Sequence, residues 1–185
     1  MVFSKCIILI GYRGSGKTSV GRLLAKRLNW AWCDSDQELE SELDVSIAQV
    51  FQQQGEQHFR DLETAAIKRL LAQADRRGQV ISLGGGAPMQ DRNRELWKDS
   101  VVCVYLKGSS KTLFQRISAD DRSEDRRPDL TEEGGLAEVQ KMLDMRSSTY
   151  QSCADLIVDV DDRTPSEIVE QIVKYYFALE RSLTE

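Results

Sequence analysis

The chain has 185 residues, 41% of them hydrophobic and 30% charged, with 25 Lys and Arg against 30 Asp and Glu. That length and mix describe one globular domain, burying on the order of 70% of its unfolded surface, and exclude collagen-like and disordered classes. The longest strictly apolar run, Cys6 to Ile10, is far short of the ~20 residues of a spanning helix, so no membrane partner is expected. No cleavable secretion signal is read at the N-terminus, and a net charge of -5 argues against nucleic acid, whose phosphates call for a basic face.

Short apolar runs alternate with longer stretches of helical period. The runs are Cys6–Ile10, Ala31–Cys33, Val80–Leu83, Val101–Leu106 and Leu156–Val160, each predicting a strand. Between the first two, Val20, Leu23, Leu24, Arg27 and Leu28 trace one helix face; Leu62, Ala65, Ala66, Arg69 and Leu70 trace a second. Near the end Ile168, Val169, Ile172, Val173 and Tyr176 trace a third, opened by Thr164, Pro165 and Glu167 in a capping pattern. Such alternation predicts an α/β fold, a parallel sheet of about five strands in a three-layer α/β/α arrangement. Ligands of such sheets bind at the carboxyl ends of the strands, which directs attention to the loops there.

The first such loop reads Gly11-Tyr12-Arg13-Gly14-Ser15-Gly16-Lys17-Thr18, a complete G-x-x-x-x-G-K-[ST] between a predicted strand and helix. Its glycines let backbone N–H groups converge on a phosphate, and the helix adds the positive end of its dipole. Gly11, Gly14, Ser15, Gly16, Lys17, Thr18 and Ser19 are therefore the candidate nucleotide-binding residues. Lys17 would reach the β- and γ-phosphates of a nucleoside triphosphate, and the Thr18 hydroxyl would ligate Mg²⁺. The motif serves ATPases, GTPases and small-molecule kinases alike, so the reaction is decided elsewhere.

The second predicted strand ends in Asp34-Ser35-Asp36, two carboxylates that project to one side if the backbone stays extended. They suit Mg²⁺ held through its waters, or a proton taken from a hydroxyl; the alternative is that Asp36 caps a helix beginning at Gln37. Next come Phe51 and the stretch Gly55 to Glu63. There Arg60 could take a carboxylate through two parallel hydrogen bonds with Glu63 fixing its rotamer, or form a plain surface pair with Glu63. His58, the sole histidine, reads as a partly exposed helix-start residue. The third strand runs into Gly84-Gly85-Gly86, which lets backbone press against a ligand and donate N–H groups. Cys6, Cys33, Cys103 and Cys153 form no C-x-x-C pair and read as reduced, buried thiols of a cytoplasmic protein.

In this order, the phosphate loop, Asp34-x-Asp36, Gly55-Glu56-x-x-Phe59-Arg60-x-x-Glu63, Gly84-Gly85-Gly86, Arg127-Pro128 and Arg146-x-x-x-Tyr150-x-x-x-Ala154 resemble the shikimate kinase family of nucleoside-monophosphate-kinase-like P-loop kinases. The resemblance runs from Gly11 to Pro165 and implies a single domain over 1–185, with a substrate-binding region about 34–63 and a mobile lid about 119–131. It implies transfer of the ATP γ-phosphoryl to the 3-hydroxyl of shikimate, by a cytoplasmic monomer with ATP and Mg²⁺. By the same resemblance Lys17, Asp36 and Arg127 are catalytic, and Thr18 and Asp34 serve the metal. Asp36, Phe51, Phe59, Arg60, Gly84, Gly85, Gly86 and Arg146 form the shikimate pocket, with adenine between Arg116 and the loop of Arg163 and Pro165. The lid departs from the family pattern: Asp129 stands where an apolar residue is usual, and Arg122 and Arg126 are further candidates to reach the phosphates. The alternatives are a related kinase, such as one for gluconate, and a catalytically silent nucleotide-binding module.

Overall fold

The structure is a computed structural model and describes residues 5–74, 78–98, 100–119 and 135–182. Arg127, and with it Arg122, Arg126, Pro128, Asp129 and nearly all of the expected lid, lies outside the described residues. In chain order the described elements are β1 (Cys6–Ile10), α1 (Lys17–Leu28), β2 (Ala31–Asp34), α2 (Ser35–Leu43), α3 (Ile47–Gln73), β3 (Gln79–Ser82) and a 3₁₀ turn (Ala87–Met89). They continue with α4 (Asp91–Trp97), β4 (Val102–Lys107), α5 (Ser110–Ser118), α6 (Gly135–Cys153), β5 (Leu156–Asp159) and α7 (Pro165–Ser182). No helix among the described residues is long and apolar enough to cross a membrane.

The strands pair in parallel in the order β2-β3-β1-β4-β5, giving the five-stranded sheet the alternation predicted. β1 lies in the middle, and all five of its residues are buried, as a central parallel strand covered on both faces must be. Its side chains alternate between two cores. Ile8 and Ile10 point into a cluster with Ile67 of α3, Trp97 of α4 and Tyr150 of α6. Ile7 and Leu9 point the other way, onto Leu24 of α1 and Ile172 and Tyr176 of α7. This gives the three-layer arrangement. A smaller third cluster of Leu39, Ile47, Val50, Phe59 and Ala66 packs α2 against α3 and forms the outer wall of the substrate region.

Local signals set the ends of several elements. The Thr164 hydroxyl accepts from the Glu167 amide at 3.3 Å while the Glu167 carboxylate accepts from the Thr164 amide at 2.8 Å, so α7 opens with the reciprocal cap its sequence predicts. Ser46 and Gln49 do the same for α3. One helix boundary differs from expectation. The backbone does not stay extended through Asp34-Ser35-Asp36: α2 begins at Ser35, and Asp34, not Asp36, caps it by accepting from the Asp36 amide at 3.1 Å. The turn after Asp34 keeps both carboxylates on the same rim of the sheet, by a helix start rather than by strand alternation. α3 is also interrupted, at Gly55 with φ 80° and ψ 171°, a conformation open to glycine and not to a helix interior.

Candidate active site

Two cavities open side by side at the carboxyl ends of the strands. The larger, of about 540 Å³, follows the phosphate loop and is lined by Gly14, Gly16, Lys17, Thr18, Ser19, Asp34 and Arg116. α1 starts inside it because Gly16 takes φ 90°, and Gly14 takes φ 79°, which turns the loop back over the helix N-terminus. Gly11 leaves no room for a side chain, since a Cβ there would sit 2.6 Å from the Leu106 carbonyl oxygen. The Lys17 ammonium donates to the carbonyls of Gly11 at 2.8 Å and Tyr12 at 3.0 Å, so a cation lies over the mouth of the loop. Ser15 Oγ, fully buried within the loop, has no hydrogen-bond partner among the described residues. The Thr18 hydroxyl donates to Asp34 Oδ2 at 3.0 Å, bringing a hydroxyl and a carboxylate together. Hard oxygen donors in that arrangement fit a Mg²⁺ ion that keeps part of its water shell, and the loop with Lys17 fits a phosphate chain.

The second cavity encloses about 180 Å³ and brings together every residue expected to hold the acceptor: Asp36, Phe51, Phe59, Arg60, Gly84, Gly85, Gly86 and Arg146. α3 supplies the outer wall, where the rings of Phe51 and Phe59 stack with centroids 4.6 Å apart. Arg60 is fixed from two sides. Its Nη1 donates to Glu63 at 3.0 Å, and its Nε and Nη2 donate to Glu56 at 3.2 and 3.1 Å. Glu63 is buried, which excludes the plain surface pair as a description of Arg60–Glu63. Burial pushes the Glu63 carboxyl above its ordinary value of 4.5, against the pull of the Arg60 guanidinium. Arg146 reaches the cavity from α6, its guanidinium carbon 5.9 Å from the centre of the Tyr12 ring.

All three glycines line the acceptor cavity, and two of them, Gly84 and Gly86, also make room for the protein's own side chains. A Cβ on Gly84 would lie 2.5 Å from Asp36 Oδ1, and one on Gly86 would lie 2.7 Å from Arg60 Nη1. The backbone therefore makes way for the protein's own carboxylate and guanidinium. The Gly84 amide donates to Ser35 Oγ at 3.0 Å and the Gly85 carbonyl accepts from the Tyr150 hydroxyl at 2.6 Å, so both are used to hold the loop. Arg116 lies in the nucleotide cavity and donates to the Val160 carbonyl at 2.8 Å, but Arg163 and Pro165 are exposed and line neither cavity. His58 is exposed, beyond the Gly55 break.

The cavities are contiguous: Arg13, Asp36, Ile47, Gly84 and Gly85 line both. An arrangement of this kind can hold a polyphosphate on one side and a small hydroxylated acid on the other, with the carboxylate of Asp36 between them. The family model for shikimate kinase matches residues 13–176. The chain belongs to the shikimate kinase family. The shikimate kinase of Thioalkalivibrio sulfidiphilus is 39% identical over 170 residues, covering 92% of this chain and 86% of that one. Among solved structures, the shikimate kinase from Acinetobacter baumannii in complex with shikimate has a TM-score of 0.84 at 30% identity, covering 94% of this chain and 93% of that one. A gluconokinase from Sinorhizobium meliloti, with a TM-score of 0.59 at 20% identity and covering 100% of this chain and 98% of that one, shares the fold.

Sequence reasoning missed several residues of this shikimate kinase site. Arg13 lines both cavities, and nothing in the phosphate-loop pattern marks that position. Tyr12, Ile47 and Ala48 line the acceptor cavity, and Arg22, Gln37 and Glu40 line the nucleotide cavity. Glu40 also accepts from the Ile47 amide at 3.0 Å, tying α2 to the start of α3. A shared helix face gives the only local signal, since Arg22 lies one turn beyond Thr18 and Glu40 one turn beyond Asp36.

Proposed function

We propose that the chain transfers the γ-phosphoryl group of ATP to the 3-hydroxyl of shikimate, giving shikimate 3-phosphate and ADP. The observation that carries this reading is the junction of the two cavities at Asp36, with a lysine-bearing phosphate loop on one side and two arginines on the other. Membership of the shikimate kinase family supports the choice of acceptor, and the net charge of -5 agrees with a small-molecule partner rather than nucleic acid.

Each role follows from side-chain chemistry. Arg60 and Arg146 bind the shikimate carboxylate, the Arg60 fork held in one orientation by Glu63 and Glu56. Phe51 and Phe59 cover the ring of the acid. Asp36 orients the attacking hydroxyl and accepts its proton; its position against Gly84 leaves the carboxylate little freedom. The phosphate loop binds the β- and γ-phosphates through backbone N–H groups, and Lys17 leaves its carbonyl contacts for their oxygens. Thr18 and Asp34 hold Mg²⁺, which neutralises charge on the phosphates when bound. Adenine lies along Arg116 and the segment after Val160 that leads to Arg163 and Pro165, with the Arg116–Val160 bond in support. Arg127 is assigned, on the family pattern alone, to the charge of the transferred group.

A coupled assay of ADP release with shikimate, with gluconate and with no acceptor tests the reading. Release with shikimate alone is expected. Faster release with gluconate, or equal release without any acceptor, would overturn it.

A further inference from the structure

We propose that Arg13 is a further catalytic residue, a cation supplied by the phosphate loop itself to the phosphoryl group in transit, and that Glu138 is its positioning residue. The proposal rests on the shikimate kinase reading above. Of the five residues that line both cavities, only Arg13 and Asp36 are ionisable, and they carry opposite charge. A group passing from a triphosphate in one cavity to an alcohol in the other crosses this shared wall. Asp36 is matched to the alcohol's proton. The phosphoryl group carries negative charge on its equatorial oxygens, and phosphoryl transfer is accelerated chiefly by cations fixed around them. A guanidinium offers several donors in one plane for that purpose.

The position of Arg13 is controlled from α6. Arg13 Nη2 lies 3.9 Å from Glu138 Oε1, and the Glu138 side chain is 1% exposed against 19% for Arg13. A carboxylate buried to that extent requires a compensating charge, and the guanidinium beside it supplies one. The separation exceeds the ~2.7–2.9 Å of a charge-assisted hydrogen bond, so Glu138 restrains Arg13 by attraction across a gap. The same helix brings Arg146 over the ring of Tyr12, so α6 meets two successive loop residues. Glu138 and Arg146 are thus placed together with respect to the phosphate loop.

The test compares Arg13→Gln, Arg13→Lys, Glu138→Gln and the double variant Arg13→Gln/Glu138→Gln, which removes both charges together. Arg13→Gln and the double variant should lower kcat by about 10²-fold, the loss that follows removal of one donor from a developing anion. Their KM for shikimate and Kd for ADP should stay within about 3-fold, because the interaction is made only in the transition state. Arg13→Lys should recover part of the rate, and Glu138→Gln should lower kcat less than either, again without a change in KM. Titration of ADP with aluminium fluoride and shikimate, which mimics the trigonal phosphoryl group, supplies a readout that is independent of turnover. Affinity for that mixture should fall in parallel with kcat. A folded double variant with kcat and mimic affinity close to those of the unsubstituted chain would overturn the proposal, as would a loss appearing equally in ADP or shikimate binding. An unsubstituted chain inert toward shikimate would instead overturn the functional reading, and this one with it.

Discussion

Replacement of Gly86 by alanine separates substrate binding from folding. Gly86 has φ -89° and ψ -18°, a backbone that alanine adopts freely, so the change carries no local strain and removes some freedom from the unfolded chain. The added Cβ, however, would stand 2.7 Å from Arg60 Nη1 and 2.9 Å from Nη2, and the guanidinium must retreat about 0.7 Å to reach ordinary contact at 3.4 Å. Because the obstructed atoms are the end of a long side chain, the fold accommodates the methyl group at little cost. The substrate carboxylate cannot be accommodated so easily, since a forked pair depends on its geometry. Loss of hydrogen bonds to a charged group costs about 1.5–3 kcal/mol, which at ~1.4 kcal/mol per decade corresponds to a KM for shikimate raised roughly 10- to 100-fold. Steady-state ADP release against shikimate concentration, together with thermal unfolding, reads both quantities. Tm should hold within a few degrees while KM rises and the KM for ATP does not. An unchanged KM for shikimate in a folded Gly86→Ala protein would refute the placement of Arg60 on the substrate.

Asp36→Asn should preserve ADP binding measured by calorimetry while turnover falls by about 10²- to 10⁴-fold, since the amide retains shape and loses the proton acceptor; turnover within a few-fold would remove Asp36 from the chemistry. Glu63 has its carboxyl raised above 4.5 by burial, so the folded chain takes up a proton there before the unfolded chain does as pH falls. That group therefore favours the fold increasingly as pH drops from neutrality toward 4.5, and Tm of the parent relative to Glu63→Gln should rise over that interval. A pH-independent difference would contradict the buried position of Glu63. Burial pushes the thiols of Cys6 up to about 12 and of Cys33 up to about 11, whereas Cys153 is only half-buried. A thiol reagent applied to the native protein should modify Cys153 first and the others only on unfolding, as followed by mass spectrometry.

Much of the site was legible because its parts are local. The phosphate loop is a continuous octapeptide whose glycines and flanking elements are specified by neighbours in sequence, and strand β1 was read from five consecutive apolar residues. The caps at Thr164 and Ser46 are likewise local: Thr164, Pro165 and Glu167 make the first plain, and Gln49 in place of a carboxylate makes the second less conspicuous. Asp34 and Asp36 share the rim, but through a helix start and not through the extended backbone that their spacing suggests. A strand-end aspartate can either continue the strand or cap a helix, and the Asp36 amide bond to Asp34 decides for the cap. The purpose of Gly84 and Gly86 was not legible, because it lies in the volumes of Asp36 and Arg60, which reach those glycines only through tertiary folding. The strand order and the Arg13–Glu138 pair were hidden for the same reason. Both depend on segments far apart in the chain, and an ion pair spanning such a distance leaves no periodic trace.

The proposed reaction brings one alcohol and one phosphorus atom together at Asp36, with the acid's carboxylate held by two arginines on the far side. A crystal structure of the chain with ADP and shikimate tests it most directly. The carboxylate is expected between Arg60 and Arg146, the 3-hydroxyl within about 3.2 Å of the Asp36 carboxylate, and the ADP β-phosphate in the loop beside Lys17. Shikimate bound with its carboxylate away from both arginines, or with its 3-hydroxyl turned from the phosphate loop, would contradict it.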